Sequence, residues 1–347
     1  MSKKFKIDGS ILEVFNNIIS QANGTLRARA KFFKTFFAED YEATVLGDNL
    51  SLSSDKLPST ITQGDFKVEY RDRMILLERL VAKLSSGEVK AKGSVGFKGL
   101  VPTIDLTAKF EEAGFPILKK SNLVVGGEVA LTGNKLPYSL NGEVKIQKLL
   151  LMNEITEFQQ GKEATFKKEY DYLPEQLNAV ANNFVNMNID IETVEPIILS
   201  NSLADVGVVG NAQVIGGEQD FRLVGKFNLA PRQNKIYFKS NEYILTKANI
   251  FFYERNKVAN PELDISAYSV INDYRVNIKV YGPVDDFNLE LSSDPALTQE
   301  DVLSLIAFGY TEDLSSNLSE QEKESMTRAG VGSIIFDSFK INETLKN

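Results

Sequence analysis

The sequence predicts an all-β fold: a ladder of short amphipathic strands in a long antiparallel or mixed sheet, closing on short C-terminal helices. Three observations predict it. Apolar and polar residues alternate strictly in segment after segment, the signature of strands with one dry and one wet face. Glycines recur at or near dry-face positions, at Gly93, Gly142, Gly225 and Gly282, where they weaken a strand and mark a bend or a close backbone approach. The period then changes from two to about 3.6 in SSDPALTQEDVLSLIAFG, where the ladder gives way to a helix.

Taken in order, the chain opens with MSKKFKIDGSILEVF, positively charged but without an apolar core region, so no signal peptide is expected in it. Residues 11–19, ILEVFNNII, form a short apolar stretch that Gly24 follows as a possible end of a helical turn. From Thr25 the strands begin. Phe66, Val68 and Tyr70 alternate with Lys67 and Glu69, and the turn-like RDR leads into MILLERLVAKL. Val89, Ala91, Gly93, Val95 and Phe97 face one way, against Lys90, Lys92, Ser94 and Lys98. Ile104, Leu106, Ala108 and Phe110 repeat the pattern against Asp105, Thr107, Lys109 and Glu111, and Tyr138, Leu140, Gly142, Val144 and Ile146 repeat it again. Residues 153–184 are richer in Glu, Gln, Lys and Asn and read as a solvated, partly helical insertion. The ladder resumes at Val185 and runs through GVVGNAQVIGG, with Leu223 and Phe227 flanking Gly225. It continues with Leu263, Ile265 and Ala267, then Tyr274, Val276, Ile278 and Val280, then Phe287, Leu289 and Leu291. A continuous ladder is expected over residues 1–292 and a helical segment over 293–347. Thr298 and Asp301 form a capping box for the first helix, with Gly309 as its stop. Ser319 and Glu322 form a second box, before a helix carrying Met326, Ile334, Ile335 and Phe336 that Gly330 and Gly332 weaken.

Composition excludes several functions. The chain has no Cys and no His, which removes thiol chemistry, histidine bases and zinc sites of the usual kind. Net charge is −8 and the Lys and Arg of the strands are scattered singly, so nucleic acid is not an expected partner. No apolar run is long enough for a membrane-spanning helix. No nucleophile elbow, Walker motif or dinucleotide fingerprint occurs. The Gly-rich pieces sit between strands as hairpin turns, and the acidic pairs Asp171, Glu175 and Asp285, Asp286 lack the spacing of calcium loops. No enzyme activity, cofactor or metal is expected.

The dry face is then the functional signal. Two arrangements fit it: the packed interior of a β-sandwich, or a curled trough whose apolar interior stays partly open. With roughly 15 to 20 strands at about 4.8 Å, such a trough runs about 70 to 95 Å. It suits acyl chains, since burying each CH₂ gains about 0.8 kcal/mol and needs no polar partner. Periodicity does not separate the two.

The stretch from Gly225 to Gly309 resembles the C-terminal region of the TamB family, the inner-membrane subunit of the bacterial translocation and assembly module. The resemblance is carried by the strand at Gly225, the segment with Pro261, Leu263, Asp264 and Ile265, the alternating strand ending at Gly282, Ser292-Ser293-Asp294-Pro295, and the helix with Asp301, Val302, Leu303, Ser304 and Leu305. Upstream residues resemble the family's weaker β repeats. The resemblance implies a taco-shaped groove in the periplasm of a diderm bacterium, conducting phospholipid between inner and outer membranes. It also implies cooperation, at the C-terminal end, with an outer-membrane β-barrel of the TamA type in protein assembly. The inner-membrane anchor of the full-length protein is expected to lie outside this chain. On this reading the groove is lined by Val89, Val95, Phe97, Ile104, Leu106, Phe110, Leu140, Val144, Ile146, Leu223, Phe227, Leu263, Ile265, Val276, Ile278, Val280, Phe287 and Leu289. Val302, Leu303, Leu305 and Ile306 form the apolar side of a plug or docking helix. An assembly factor acting by strand addition, or a structural scaffold with a filled interior, are the alternatives.

Overall fold

A computed structural model describes residues 2–6, 21–34, 39–53, 59–97, 101–118, 121–152, 183–238, 241–254 and 260–308. The apolar stretch at 11–19, most of the polar stretch after Met152, the stop at Gly309 and the second C-terminal helix lie outside the described residues. The chain forms two compact units: 1–150 with 166–195 and 213–222, and 151–165 with 196–212 and 223–347.

The first unit is a ladder. Its strands are β1 (Ser2–Lys6), β2 (Gln21–Lys34), β3 (Glu39–Ser53), β4 (Ile61–Arg71) and β5 (Met74–Lys83). Then come β6 (Glu88–Gly96), β7 (Thr103–Leu118), β8 (Ser121–Gly133), β9 (Tyr138–Leu151) and β10 (Val185–Thr193). Each of β1 to β8 pairs antiparallel with the next. β10 instead lies parallel to β9, Val185 opposite Tyr138 and Thr193 opposite Ile146. A parallel pair needs a long connection, and the polar stretch after Met152 supplies it. The β4–β5 hairpin turns on Asp72 and Arg73, both in the left-handed region at φ 52° and 57°, the geometry that matches strand twist in a two-residue turn. Register slips at Leu77/Leu80, Phe110/Ala113 and Val124/Val125 mark bulges, which sharpen local twist.

Gly93 and Gly142 show why glycine interrupts these strands. They sit at φ 143° and 155°, and a Cβ there would stand 2.0 Å from the Asp105 carbonyl oxygen and 2.2 Å from that of Glu128. Only a residue without a side chain lets the neighbouring backbone approach so closely.

The second unit carries β11 (Ile197–Ser200), β12 (Ala204–Gly217, its last residues assigned to the first unit), β13 (Arg222–Leu229), β14 (Lys235–Phe238) and β15 (Asn241–Phe252). β16 (Glu262–Ile271), β17 (Tyr274–Pro283), β18 (Asn288–Asp294) and the helix α1 (Gln299–Phe308) complete it. β15 to β18 form an antiparallel meander, with β14 and β13 both pairing β15. Asn234 is fully buried and stitches the region together. Its Oδ1 accepts from the Gly207 amide at 2.7 Å, and its Nδ2 donates to the Ala230 and Arg232 carbonyls at 2.9 and 2.7 Å. Both polar atoms of that amide are thereby partnered, as a buried side chain requires. The fold is all-β, with α1 as the one helix among the described residues.

Candidate functional site: the apolar face of the ladder

Residues directly opposite on neighbouring strands share a face, so the registers turn the sequence alternation into rows that cross the sheet. In the first unit one row runs Val45, Val68, Leu77, Gly93, Leu106, Leu131, Leu140, Met187 from β3 to β10. The next runs Gly47, Phe66, Leu80, Ala91, Ala108, Val129, Gly142, Ile189, and a third joins Ala82, Val89, Phe110, Gly127, Val144 and Ile191. Ile146 lies opposite Val125, and Ile104 opposite Val95. No charged residue enters these rows.

The reverse side carries the charges, with a few apolar residues such as Leu46, Leu76 and Val81 among them. Lys90 pairs with Glu88 and Glu111 at 2.6 and 2.7 Å, and Lys109 with Glu111 at 2.9 Å. Those two ammonium groups, hydrogen-bonded to Glu111, hold its carboxyl down at about 2. Lys67 bridges Glu69 and Glu78, whose hydrogen bonds raise the lysine. Exposed pairs of this kind contribute little to stability, but they fix which side faces water.

Burial distinguishes a filled interior from an open one. Most apolar row residues are only half-buried: Val89, Val95, Ile104, Leu106, Phe110, Leu140, Val144 and Ile146 all keep contact with solvent. The fully buried apolar side chains described in this unit are few, and Leu84, Ala113 and Val125 cluster at one edge, with Ile61, Val89, Phe110, Phe115, Leu123 and Val144 packed against them. Phe97, two residues past Val95, is 42% exposed and stands at the opposite edge rather than inside.

In the second unit the same logic gives the rows Phe227, Ile250, Leu263, Gly282; Ala248, Ile265, Val280, Leu289; and Leu245, Ala267, Ile278, Leu291. Leu223, Phe227, Leu263, Ile265, Ile278, Val280, Phe287 and Leu289 are half-buried. This unit is better filled, because Tyr243, Leu245, Ala248 and Ala267 are buried with Leu229 and Ile236 against them. Tyr243 is fully enclosed, and burial pushes its hydroxyl up to about 12 against the smaller, opposite pull of Asn241.

Val276 departs from the lining expectation in that it is roofed over. It is 0% exposed and packs with Ile271 against Val302, Leu305 and Ile306 of α1. Val302, Leu303, Leu305 and Ile306 are buried within the chain itself, so the face read as a docking surface is turned inward here. The helix begins where the capping box places it: the Asp301 amide donates to Thr298 Oγ1 at 3.2 Å and that hydroxyl donates to Asp301 Oδ2 at 2.8 Å. Ser293 Oγ accepts from the Leu297 amide at 3.0 Å, and Asn241 Nδ2 donates to the Ile306 carbonyl at 3.3 Å, tying both ends of α1 down.

Leu77, Leu80, Val129, Leu131, Met187, Ile189 and Ile191 belong to the same apolar face and extend the residues read from sequence. Strand alternation in Val185–Thr193 carries the last three, whereas the bulge in β5 hides the first two. Among the described residues no group of three His, Cys, Asp or Glu could hold a metal ion, and no helix is long and apolar enough to cross a membrane. A depression of about 410 Å³ on the polar side of β15–β18 is lined by residues that engage one another. There the Arg275 guanidinium lies 4.0 Å over the Tyr268 ring, and Lys279 pairs with Glu290 at 3.1 Å.

A family model, the TamB C-terminal domain, matches residues 78–346. No curated protein matches the chain.

Proposed function

The chain belongs to the TamB C-terminal domain family, whose members act in outer-membrane biogenesis, and on that premise we propose that its apolar face conducts phospholipid acyl chains across the envelope. The observation that carries this reading is the set of apolar rows crossing β3 to β10, free of charge yet left half-buried. A surface of that kind gains about 0.8 kcal/mol for every CH₂ laid against it, and an alkyl chain asks for no hydrogen bond in return. With every row apolar and uncharged, a chain slides without meeting a deep local minimum. The periplasm of a diderm bacterium is where such a path is needed, and phospholipid is the ligand proposed. A TamA-type barrel is the partner proposed for the C-terminal end. Contact with it through Val302, Leu303, Leu305 and Ile306 requires α1 to leave its seat.

Lipid extraction and mass spectrometry of the purified chain test the reading, together with photo-crosslinkers on the two faces. Crosslinkers at Val95, Ile104, Val144 and Leu289 are expected to capture phospholipid, and those at Lys92, Asp105, Lys145 and Asn277 are not. Equal capture on both faces, or none on either, removes the conduit.

A further inference from the structure

The two edges of the apolar face in the first unit differ. At the β5–β6 turn the Gly114 amide donates to the Ser86 carbonyl at 2.9 Å and Ser86 Oγ donates to the Glu112 carbonyl at 3.2 Å, beside the buried cluster of Leu84, Ala113 and Val125. That edge is closed. At the other edge, by the β4–β5 turn and the end of β6, large apolar side chains stand in the open: Tyr41 is 51% exposed, Ile75 36% and Phe97 42%. They are neighbours. Tyr70 lies opposite Ile75 and Ile75 opposite Val95, Tyr41 stacks on Tyr70 at 6.5 Å, and the Phe97 amide donates to the Arg73 carbonyl at 2.8 Å. The strip is therefore continuous with the rows through Val95, and Arg73 is pinned beside it, exposed, with Asp72 before it in the turn.

We propose that this edge is a loading lip, where an anionic glycerophospholipid passes its acyl chains over Tyr41, Tyr70, Ile75 and Phe97 while its phosphate sits by Arg73. The inference rests on the conduit reading and adds where lipid enters. Aromatic side chains suit such a boundary because their rings accept alkyl contact while Tyr keeps a hydroxyl in water. A guanidinium is the side chain best matched to a phosphate. An amphiphile satisfies both at once.

The chain contains no Trp, so a single introduced Trp reports one position. In Phe97→Trp, phosphatidylglycerol vesicles are expected to shift the emission to the blue as lipid loads, while Ser86→Trp at the closed edge stays unchanged. The double variant Tyr41→Ser, Phe97→Ser is expected to take up fluorescent phosphatidylglycerol roughly tenfold more slowly, about the loss of two methylene contacts at the barrier, and to reach the same final occupancy. Arg73→Ser is expected to slow phosphatidylglycerol but not diacylglycerol, which has no phosphate. Wild-type chain that takes up no lipid defeats the conduit reading itself. Wild-type chain that loads, with lip variants loading at the same rate, defeats the lip alone. A Phe97→Trp shift that depends on protein concentration without vesicles makes the strip an interface between copies and overturns the proposal.

Discussion

If the apolar rows are open, a charge placed in them escapes, and a charge placed in the small buried cluster does not. Leu106 and Val125 give the comparison within one unit. Leu106 sits in mid-sheet between Gly93 and Leu131 and is half-buried; Val125 is 5% exposed, among Leu84 and Ala113. In Leu106→Lys the alkyl stem keeps part of the apolar contact and the ammonium reaches water along the open side, so the loss is about 1–2 kcal/mol. In Val125→Lys the ammonium has no exit and no acid within its cluster, which costs about 4 kcal/mol or more. Urea melts followed by circular dichroism read both on the same transition, and the expected gap is at least about 2 kcal/mol. Leu106→Lys is also expected to strip co-purifying lipid while leaving the far-ultraviolet spectrum intact. A Leu106→Lys variant as destabilised as Val125→Lys would refute the reasoning, because it would mean that the face is sealed in solution.

Three further outcomes follow from local geometry. Thr298→Ala removes the cap of α1 and is expected to cost about 1 kcal/mol, whereas Leu305→Ala, 1% exposed over Val276, is expected to cost about 2–5 kcal/mol; thermal melts rank the two. Glu111 is held at about 2 against an ordinary 4.5 by hydrogen bonds from Lys109 and Lys90. Its folded value is depressed, so its contribution is present above about 4.5 and is lost as pH falls toward about 2. Glu111→Gln is therefore expected to flatten that part of the acid limb, with added salt shrinking the wild-type slope. Gly93→Ala is expected to destabilise by about 2 kcal/mol or more, since the new Cβ would sit 2.0 Å from the Asp105 carbonyl oxygen, and calorimetry checks it.

The sequence makes the strands of this protein legible wherever alternation is clean, as at Val89–Val95, Ile104–Phe110, Leu140–Ile146 and Tyr274–Val280, and it marks the start of α1 through Thr298 and Asp301. Alternation fails where the backbone slips. MILLERLVAKL shows no clean alternation because the bulge between Leu77 and Leu80 puts two phases into one strand. Depth is a different matter from face. Val276 and Ile278 share one side of β17, yet only Val276 is fully enclosed, because α1 lands on it. Phe97 continues the Val95 phase but stands past the end of β6, where no neighbouring strand remains to shelter it. Neither fact depends on the strand's own residues; both depend on what ends nearby. The division into two compact units leaves no mark in composition either, since the ladder has the same alternation in both.

The competing idea, that the ladder presents strand edges to unfolded outer-membrane proteins, can be weighed on the same registers. Strand addition consumes free amide and carbonyl groups along an edge. In the first unit β2 to β9 each pair with a neighbour on both sides, and in the second β15, β16 and β17 do the same. Their paired stretches have no capacity left, so an added peptide strand is confined to stretches with no described neighbour on one side, such as β18 or the end of β2 beyond Arg29. What every strand does offer is one apolar side. A peptide laid on that side would bury its own amides without partners, at a cost of about 1–3 kcal/mol for each unsatisfied group. An alkyl chain carries no such groups. On the proposed reading the apolar side therefore suits lipid better than polypeptide, and a client protein is left with the unpaired edge stretches.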